Sequence, residues 1–257
     1  MPAMDYSRVA HYYDSYVQTS LDVNFFLQES KNAIRVLELM SGTGRLSLPL
    51  IQAGVNLTCV DSSPEMLAIL RQKLMQQNLQ ANVLEMDVCQ MSLAGEFDLI
   101  VIPFHSFAEI LDPPDQRRAL EEIFRLLSPS GRFICTLHNP PVRLKSVDGK
   151  VTFLGKHTLP DNTGTLLLST VQQYEASTHR VKGAQFYELY DTSGVMQSKW
   201  FVDLEFYLHQ KNDFSKLIQS IGFSTLNLYG DYSHSAFVEN SSPFMLWVLG
   251  KALQPAK

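Results

Sequence analysis

The first 140 positions of the chain alternate between short apolar runs and longer stretches in which apolar residues recur at helical spacing. The apolar runs at 34–39, 56–61, 81–88, 97–104 and 132–139 predict five strands, with helices between them. The run at 97–104 is almost continuously apolar, which is typical of a strand buried on both faces of a parallel sheet. This repeated strand–helix order predicts right-handed crossovers and a doubly wound α/β sheet.

The pattern changes at both ends of this region. Aromatic and apolar residues recur three and four positions apart near the N-terminus, which predicts helix within residues 5–30. Residues 150–210 instead carry β-forming segments separated by short polar turns, which predicts an antiparallel meander of about four strands. A helix and two closing strands follow. We therefore expect a seven-stranded, mostly parallel sheet with an inserted antiparallel sheet as a cap.

Three units are expected from this pattern. A helical lid takes residues 1–32, a core takes 33–145 and 211–257, and the cap takes 146–210. Aromatic residues are concentrated toward the cap and the closing strands, because 16 of the 27 lie after residue 150. We therefore expect some of them to wall a pocket, although alternation along a strand sends only one face inward.

Composition excludes several classes of protein. A hydrophobic content of 45 % is too high for a disordered chain, and a net charge of −5 argues against a nucleic-acid binder that neutralises phosphates. The apolar runs are too short to span a bilayer, and the first residues lack the basic and apolar regions of a signal peptide. Cys59, Cys89 and Cys135 are isolated, which favours reduced thiols, a cytoplasmic location and no structural metal.

The segment VLELMSGTGR, residues 36–45, leads a strand through a glycine turn into a helix. Gly42 and Gly44 can adopt positive φ or let a ligand approach the backbone. Such turns are common, so the turn by itself is also explained as a tight strand–helix connection. Carboxylates at the ends of three successive strands favour a ligand crevice instead.

Those carboxylates are Glu38, Asp61 and Asp87. Glu38 beside the turn would repel a pyrophosphate and suits a cationic or ammonium-bearing ligand. Asp61 stands where a carboxylate accepts both hydroxyls of a ribose. Asp87, followed by apolar Val88, can accept from an exocyclic amine such as that of adenine. The carboxyl ends of parallel strands meet at one edge of the sheet, so we expect the three acids to line one crevice.

These pieces resemble the motifs of class I S-adenosylmethionine-dependent methyltransferases, which have a Rossmann-like core. The matching segments are ELMSGTGR, VDSSPEML, LEMDV, FDLIVIPFHSF and LLSPSGRFICTLHNP. The N-terminal YSRVAHYYD resembles the lid helix of the small-molecule branch. The layout is similar to that of sugar N,N-dimethyltransferases and glycine N-methyltransferase-like enzymes, whose antiparallel sheet covers the active site.

The resemblance implies S-adenosylmethionine as cofactor and a role for each matching residue. It places the glycines against the methionyl part, Glu38 toward the ammonium through water, and Asp61 at the ribose. The other residues expected at the cofactor are Met66 on the adenine ring, Asp87 and Val88 at its edge, Pro103 and Phe104 beside the methionyl part, and Tyr13 at the carboxylate. Met40 departs from the family, which often has glycine there, and narrows the turn.

Methyl transfer requires alignment of the acceptor and, for some acceptors, removal of a proton. His105, directly after Pro103 and Phe104, is the first candidate for proton removal or for orienting the acceptor, and His138 is the second. A hydrogen-bonded loop histidine explains either residue equally well. The candidates for acceptor binding on the meander are Tyr174, Tyr190 and Trp200. The sequence HNPP after the fifth strand resembles a nucleobase methyltransferase motif, but it follows the wrong strand and is interpreted as a turn.

The expected function is methyl transfer to a nitrogen or oxygen of a small molecule, by a monomer or homodimer in the cytoplasm. The alternatives are an RNA or protein side-chain methyltransferase and a protein that binds S-adenosylmethionine without catalysis. An NAD-dependent oxidoreductase is less favoured, because Ser47 takes the third glycine position of the dinucleotide motif.

Overall fold

The computed structural model describes residues 4–252. Its strands are β1 (Val36–Leu39), β2 (Leu57–Asp61), β3 (Asn82–Glu85), β4 (Phe97–Ile102), β5 (Leu127–His138), β6 (Thr152–Thr158), β7 (Thr165–Glu175), β8 (Arg180–Tyr190), β9 (Met196–Tyr207), β10 (Phe223–Tyr229) and β11 (Phe244–Lys251). Its α-helices are α1 (Ala10–Tyr16), α2 (Val23–Ser30), α3 (Ser47–Gln52), α4 (Pro64–Gln76), α5 (Pro113–Leu126), α6 (Pro140–Arg143) and α7 (Lys211–Ile221). Short 3₁₀ turns occupy Tyr6–Arg8, Ser106–Glu109, Leu144–Ser146 and Pro160–Asn162.

Seven strands form the central sheet in the order β10-β11-β5-β4-β1-β2-β3. The pairs within β1 to β5 are parallel, whereas β11 is antiparallel to both β5 and β10. This confirms the predicted seven-stranded, mostly parallel α/β fold. The chain reverses its direction of progress across the sheet between β1 and β4. Ligands of such sheets bind outside the carboxyl ends of the strands at this point.

Helices cover both faces of the sheet, as the doubly wound pattern predicts. The side chains of α5 and α7, including Ile123 and Ile218, pack with Leu37 in one buried cluster. On the other face, Leu46 and Leu67 from the region of α3 and α4 pack with the side chains of α2. All four residues of β1 are buried, so this strand lies at the centre of the core.

The four remaining strands form a separate antiparallel sheet in the order β6-β7-β8-β9, which confirms the predicted cap. Its inner face carries the buried Leu166, Leu168 and Tyr187, which pack with Val9 and other residues of the N-terminal segment. The limits expected for lid, core and cap stay predictions. No helix within residues 4–252 is both long and apolar enough to cross a membrane.

Element boundaries near the strand ends differ from the predictions. The third strand ends at Glu85 rather than Val88, because the Asp87 carboxylate accepts from the Cys89 N–H at 2.8 Å and forms a turn. The fourth ends at Ile102 and the chain then turns sharply, with φ of 58° at Phe104 and 66° at His105.

The N-terminal helix is interrupted between Tyr16 and Val23. In the interruption, the Thr19 carbonyl and the Asp22 carboxylate both accept hydrogen bonds from Arg45. These hydrogen bonds attach the N-terminal region to the glycine turn just before α3.

Candidate functional site

The turn after β1 holds three residues in the left-handed region, namely Met40, Gly42 and Gly44, with φ of 58°, 56° and 86°. A Cβ on Gly44 would lie 2.4 Å from Leu70 Cδ1, so this glycine is required for the turn to pack against α4. A Cβ on Gly42 would meet no atom within 4 Å. The backbone at Gly42 therefore faces open space that a ligand can approach closely.

Asp61 ends β2 beside this turn. Its Oδ2 accepts a hydrogen bond from the Gly42 N–H at 2.7 Å, and its Oδ1 accepts from the Ser63 N–H at 2.9 Å. Burial raises the pKa of Asp61, while these backbone N–H groups oppose the shift. Each carboxylate oxygen has a second acceptor position. Asp61 can therefore accept two further hydrogen bonds from a ligand.

A cavity of about 650 Å³ opens at the carboxyl ends of β1 to β4, beneath the N-terminal segment. Seven of the ten residues expected at the cofactor line it: Tyr13, Gly42, Asp61, Met66, Asp87, Val88 and Phe104. Among the described residues, the lining contains carboxyl groups but no lysine, arginine or histidine. The cavity therefore suits a ligand that carries positive charge at its centre.

Three of the expected cofactor residues lie outside the lining, namely Glu38, Gly44 and Pro103. Glu38 is buried behind the turn, where its carboxyl accepts a hydrogen bond from Ser47 Oγ at 2.6 Å. Burial raises the pKa of Glu38 to about 8, although the Ser47 hydrogen bond acts in the opposite direction. Glu38 is thus placed to support the turn, and its expected contact with an ammonium group stays a prediction.

The N-terminal segment covers the cavity with two tyrosines. The Tyr6 hydroxyl donates to Glu109 Oε1 at 2.6 Å, and the Tyr13 ring packs edge-on against Tyr6 at 6.1 Å between centroids. Burial, and next the charge of Glu109, raise the pKa of Tyr13. Sequence reasoning missed Glu109, whose signal was that it is the single acid of residues 103–111, the segment that follows β4.

Arg45, the residue after the second glycine, is another contributor that sequence reasoning missed. Its guanidinium donates two hydrogen bonds, of 2.5 and 2.6 Å, to the buried Asp22 carboxylate. The same guanidinium lies 4.6 Å from the centre of the Phe104 ring. Arg45 therefore connects the N-terminal region to an aromatic side chain of the cavity wall.

His105 and His138 stack on each other with ring centroids 3.8 Å apart, and neither is part of the cavity lining. Burial, with the charge of Arg143, lowers the pKa of His105 to about 3. Burial also lowers the pKa of His138, with His105 adding to the effect. Both rings are therefore neutral near pH 7 and weakly basic, and their expected roles in proton removal or in orienting an acceptor stay predictions.

The structure does not bring the three expected acceptor-binding residues to the cavity. Tyr174 pairs its hydroxyl with His179 Nδ1 at 3.1 Å, and Tyr190 donates to Glu188 at 3.0 Å on the outer face of the cap. Trp200 lies on the inner face, where it stacks on Tyr187 and contacts Tyr12 of α1. Trp200 therefore helps to hold the N-terminal helix against the cap.

Comparison with known proteins bears on this arrangement. Residues 36–131 match the family model described as a methyltransferase domain. A demethylmenaquinone methyltransferase of Thermus thermophilus is 36 % identical over 112 residues, which cover 42 % of this chain and 48 % of that protein. A glycine/sarcosine N-methyltransferase of Aphanothece halophytica is 25 % identical over 224 residues, or 86 % of this chain and 78 % of that protein.

Solved structures extend the similarity to nearly the whole chain. An S-adenosylmethionine-dependent methyltransferase from Clostridium acetobutylicum has a TM-score of 0.79 at 21 % identity and covers 96 % of this chain and 99 % of its own. A sugar N-methyltransferase from Streptoalloteichus has a TM-score of 0.74 at 17 % identity and covers 94 % of this chain and 91 % of its own. These matches confirm the predicted resemblance and fold. The chain spans about half the length of the first curated relatives that it matches, 48 % and 45 %.

Proposed function

We propose that this chain, whose residues 36–131 are a methyltransferase domain, binds S-adenosylmethionine in the cavity and transfers its methyl group to a small molecule. The observation that carries the proposal is the position of Asp61. Its carboxylate accepts a hydrogen bond from the Gly42 N–H at 2.7 Å, and Asp61, Gly42, Met66 and Asp87 all line one cavity.

These residues fit the parts of the cofactor. Asp61 has free acceptor positions for two ribose hydroxyls, the buried Met66 offers an apolar surface to the adenine ring, and Asp87 can accept from the adenine amine. The backbone at Gly42 has room for the methionyl part. Within residues 4–252 the lining is acidic and has no basic side chain, which favours a sulfonium cation. When bound, the cofactor supplies a methyl group already activated for transfer.

The acceptor is proposed to be a small molecule methylated at nitrogen or oxygen. The N-terminal segment lines the cavity and packs against the cap, which suits a compact acceptor better than a polymer. Acidic lining argues against an RNA backbone. The names of the glycine/sarcosine and sugar N-methyltransferases support nitrogen as the methylated atom. His105 and His138 are proposed to orient the acceptor rather than to accept its proton.

The same proposal places the protein in the cytoplasm. Cys59, Cys89 and Cys135 are free thiols, which suits a reducing compartment. A monomer and a homodimer are both compatible with the proposed chemistry.

Calorimetric titration with S-adenosylmethionine and with S-adenosylhomocysteine tests the first half of the proposal. The second half requires release of S-adenosylhomocysteine in the presence of a panel of small amines and alcohols, with transfer RNA as the comparison. Binding with turnover of a small amine or alcohol supports the proposal. Turnover with transfer RNA alone would show that the acceptor is RNA rather than a small molecule. Cofactor binding without turnover of any acceptor would indicate a binding protein without catalysis.

A further inference from the structure

The Tyr6–Glu109 hydrogen bond joins two parts of the chain that are 103 residues apart, and both side chains line the cavity. Tyr6 opens the 3₁₀ turn that precedes α1, and Glu109 ends the 3₁₀ turn that follows β4. The bond therefore connects the segment above the cavity to the 3₁₀ turn that follows a core strand. Within residues 4–9, the part of the segment that the structure describes before α1, no other side chain hydrogen-bonds to the core.

The rest of the N-terminal region is attached elsewhere. Asp14 at the middle of α1 accepts from Thr43 Oγ1 at 2.7 Å and forms an ion pair with Lys73 at 2.5 Å. Tyr12 packs against Trp200 of the cap.

The segment before α1 is also attached to the cap, through a β-bridge between Met4 and Leu204 and through the buried side chain of Val9. Loss of the Tyr6–Glu109 bond would therefore leave α1 and these cap contacts in place while freeing Tyr6 from the core. The expected consequence concerns access to the cavity rather than folding of the core.

We propose that Tyr6 and Glu109 form a clasp that keeps the N-terminal segment closed over the cofactor cavity at Tyr6, between its cap contacts at Met4 and Val9, and thereby sets how long a bound cofactor or product is retained. The inference rests on the proposed function, because it assumes that the cavity is the cofactor site. Glu109 is a positioning residue in this account, since it acts through Tyr6.

The surroundings of Glu109 make the clasp sensitive to pH. Burial raises the pKa of Glu109 to about 7, the hydrogen bond from Tyr6 opposes this shift, and the charge of Asp61 adds to it. The titratable groups that face Glu109 are thus Tyr6 and Tyr13 from the N-terminal region and Asp61 from the end of β2. A hydroxyl bonds more strongly to a carboxylate than to a neutral carboxyl group. The clasp therefore strengthens as the pH rises through neutrality.

The rate at which S-adenosylhomocysteine leaves the protein tests the clasp directly. We expect S-adenosylhomocysteine to dissociate about tenfold faster from Tyr6→Phe than from the unmodified chain at pH 8, as measured by stopped flow. A tenfold change corresponds to the loss of one hydrogen bond to a charged group, at the lower end of the energies such bonds contribute. Tyr12→Phe is the matched control, since the Tyr12 hydroxyl, on the same region, makes no hydrogen bond to the described residues. Its dissociation rate is expected to equal that of the unmodified chain.

Glu109→Gln supplies the second readout. Its amide still accepts from Tyr6 but carries no charge, so dissociation from this variant is expected to stay at the unmodified chain's pH 6 rate from pH 6 to pH 8. Dissociation from the unmodified chain should instead slow over that interval. Equal rates for Tyr6→Phe and the unmodified chain, or equal acceleration by Tyr12→Phe, would overturn the clasp. Failure of the unmodified chain to bind S-adenosylhomocysteine would overturn the proposed function and the clasp together.

Discussion

Asp61 Oδ2 accepts a hydrogen bond from the Gly42 N–H at 2.7 Å, which ties the end of β2 to the glycine turn after β1. Asp61 also accepts from the Ser63 N–H at the start of the following helix. One carboxylate therefore joins the glycine turn, the end of β2 and the start of α4. Both oxygens are held by backbone groups, so the carboxylate keeps one orientation toward the cavity. A ligand that bonds to Asp61 is thereby placed against the open backbone of Gly42.

The first prediction concerns this carboxylate. Asp61→Ala is expected to weaken S-adenosylmethionine binding by about 1–3 kcal/mol, because it removes the carboxylate that is proposed to accept hydrogen bonds from the ribose hydroxyls. Calorimetric titration measures the change, and circular dichroism checks that the variant is folded. Asp203→Ala, at an exposed position of β9, is the control and should bind like the unmodified chain. An unchanged dissociation constant for Asp61→Ala would remove the cofactor assignment from this cavity.

Most of the cavity lining at the strand ends could be predicted because backbone geometry positions those residues. Gly42, Asp61 and Val88 follow strand ends, and the carboxyl ends of parallel strands meet at one edge. Side chains whose position depends on long-range packing could not be placed in this way. Glu38 follows the same pattern, yet its carboxyl pairs with Ser47 behind the turn, and Glu109 owes its place to a residue 103 positions earlier.

The cap was correctly predicted as a sheet, whereas the three cap residues expected to bind an acceptor do not line the cavity. The alternation of side chains along a strand shows which residues share a face of the sheet. It does not show which of the two faces packs against the rest of the protein, because that depends on residues elsewhere in the chain. Tyr187 and Trp200 lie on the inner face and are covered by α1, while Tyr190 lies on the outer face. Aromatic content alone therefore overstated the number of residues available to an acceptor.

The second prediction separates two costs of replacing a glycine at positive φ, namely backbone strain and the clash of the added methyl group with a neighbour. Gly44→Ala is expected to lower the free energy of unfolding by about 2–4 kcal/mol, because the new methyl group strains the backbone and meets Leu70 at 2.4 Å. Gly149→Ala is the control, since Gly149 also has positive φ but a Cβ there meets no atom within 4 Å. It should cost about 1 kcal/mol. Urea unfolding measures both, and equal losses would mean that the contact with Leu70 is relieved.

The third prediction concerns the ion pair between Arg45 and Asp22. Arg45→Ala leaves the buried Asp22 carboxylate without its partner and is expected to cost about 3 kcal/mol of unfolding free energy. The double variant Arg45→Ala/Asp22→Ala should lose less than the sum of the single variants, because it removes the unpaired charge as well. Additive losses in a double-mutant cycle would show that the pair contributes no coupling.

The last prediction concerns Glu38, whose burial raises its pKa to about 8, well above the ordinary glutamate value of 4.5. Below pH 4.5 both the folded and the unfolded chain hold this proton. Between pH 4.5 and about 8 the unfolded chain releases it while the folded chain retains it, so this group's contribution to stability falls as the pH rises. Above pH 8 the loss is complete.

Glu38→Gln removes this titration and keeps an acceptor for Ser47. Relative to the unmodified chain, its free energy of unfolding is therefore expected to increase between pH 5 and pH 9 by about 4 kcal/mol. Other groups that titrate in this interval are common to both chains and cancel in the difference. Ser47→Ala provides an independent check: the hydrogen bond from Ser47 lowers the pKa of Glu38, so its removal should steepen the fall in stability toward pH 9. Urea unfolding at pH 5, 7 and 9 measures each difference, and a difference for Glu38→Gln that does not change with pH would contradict a buried, proton-retaining carboxyl at this position.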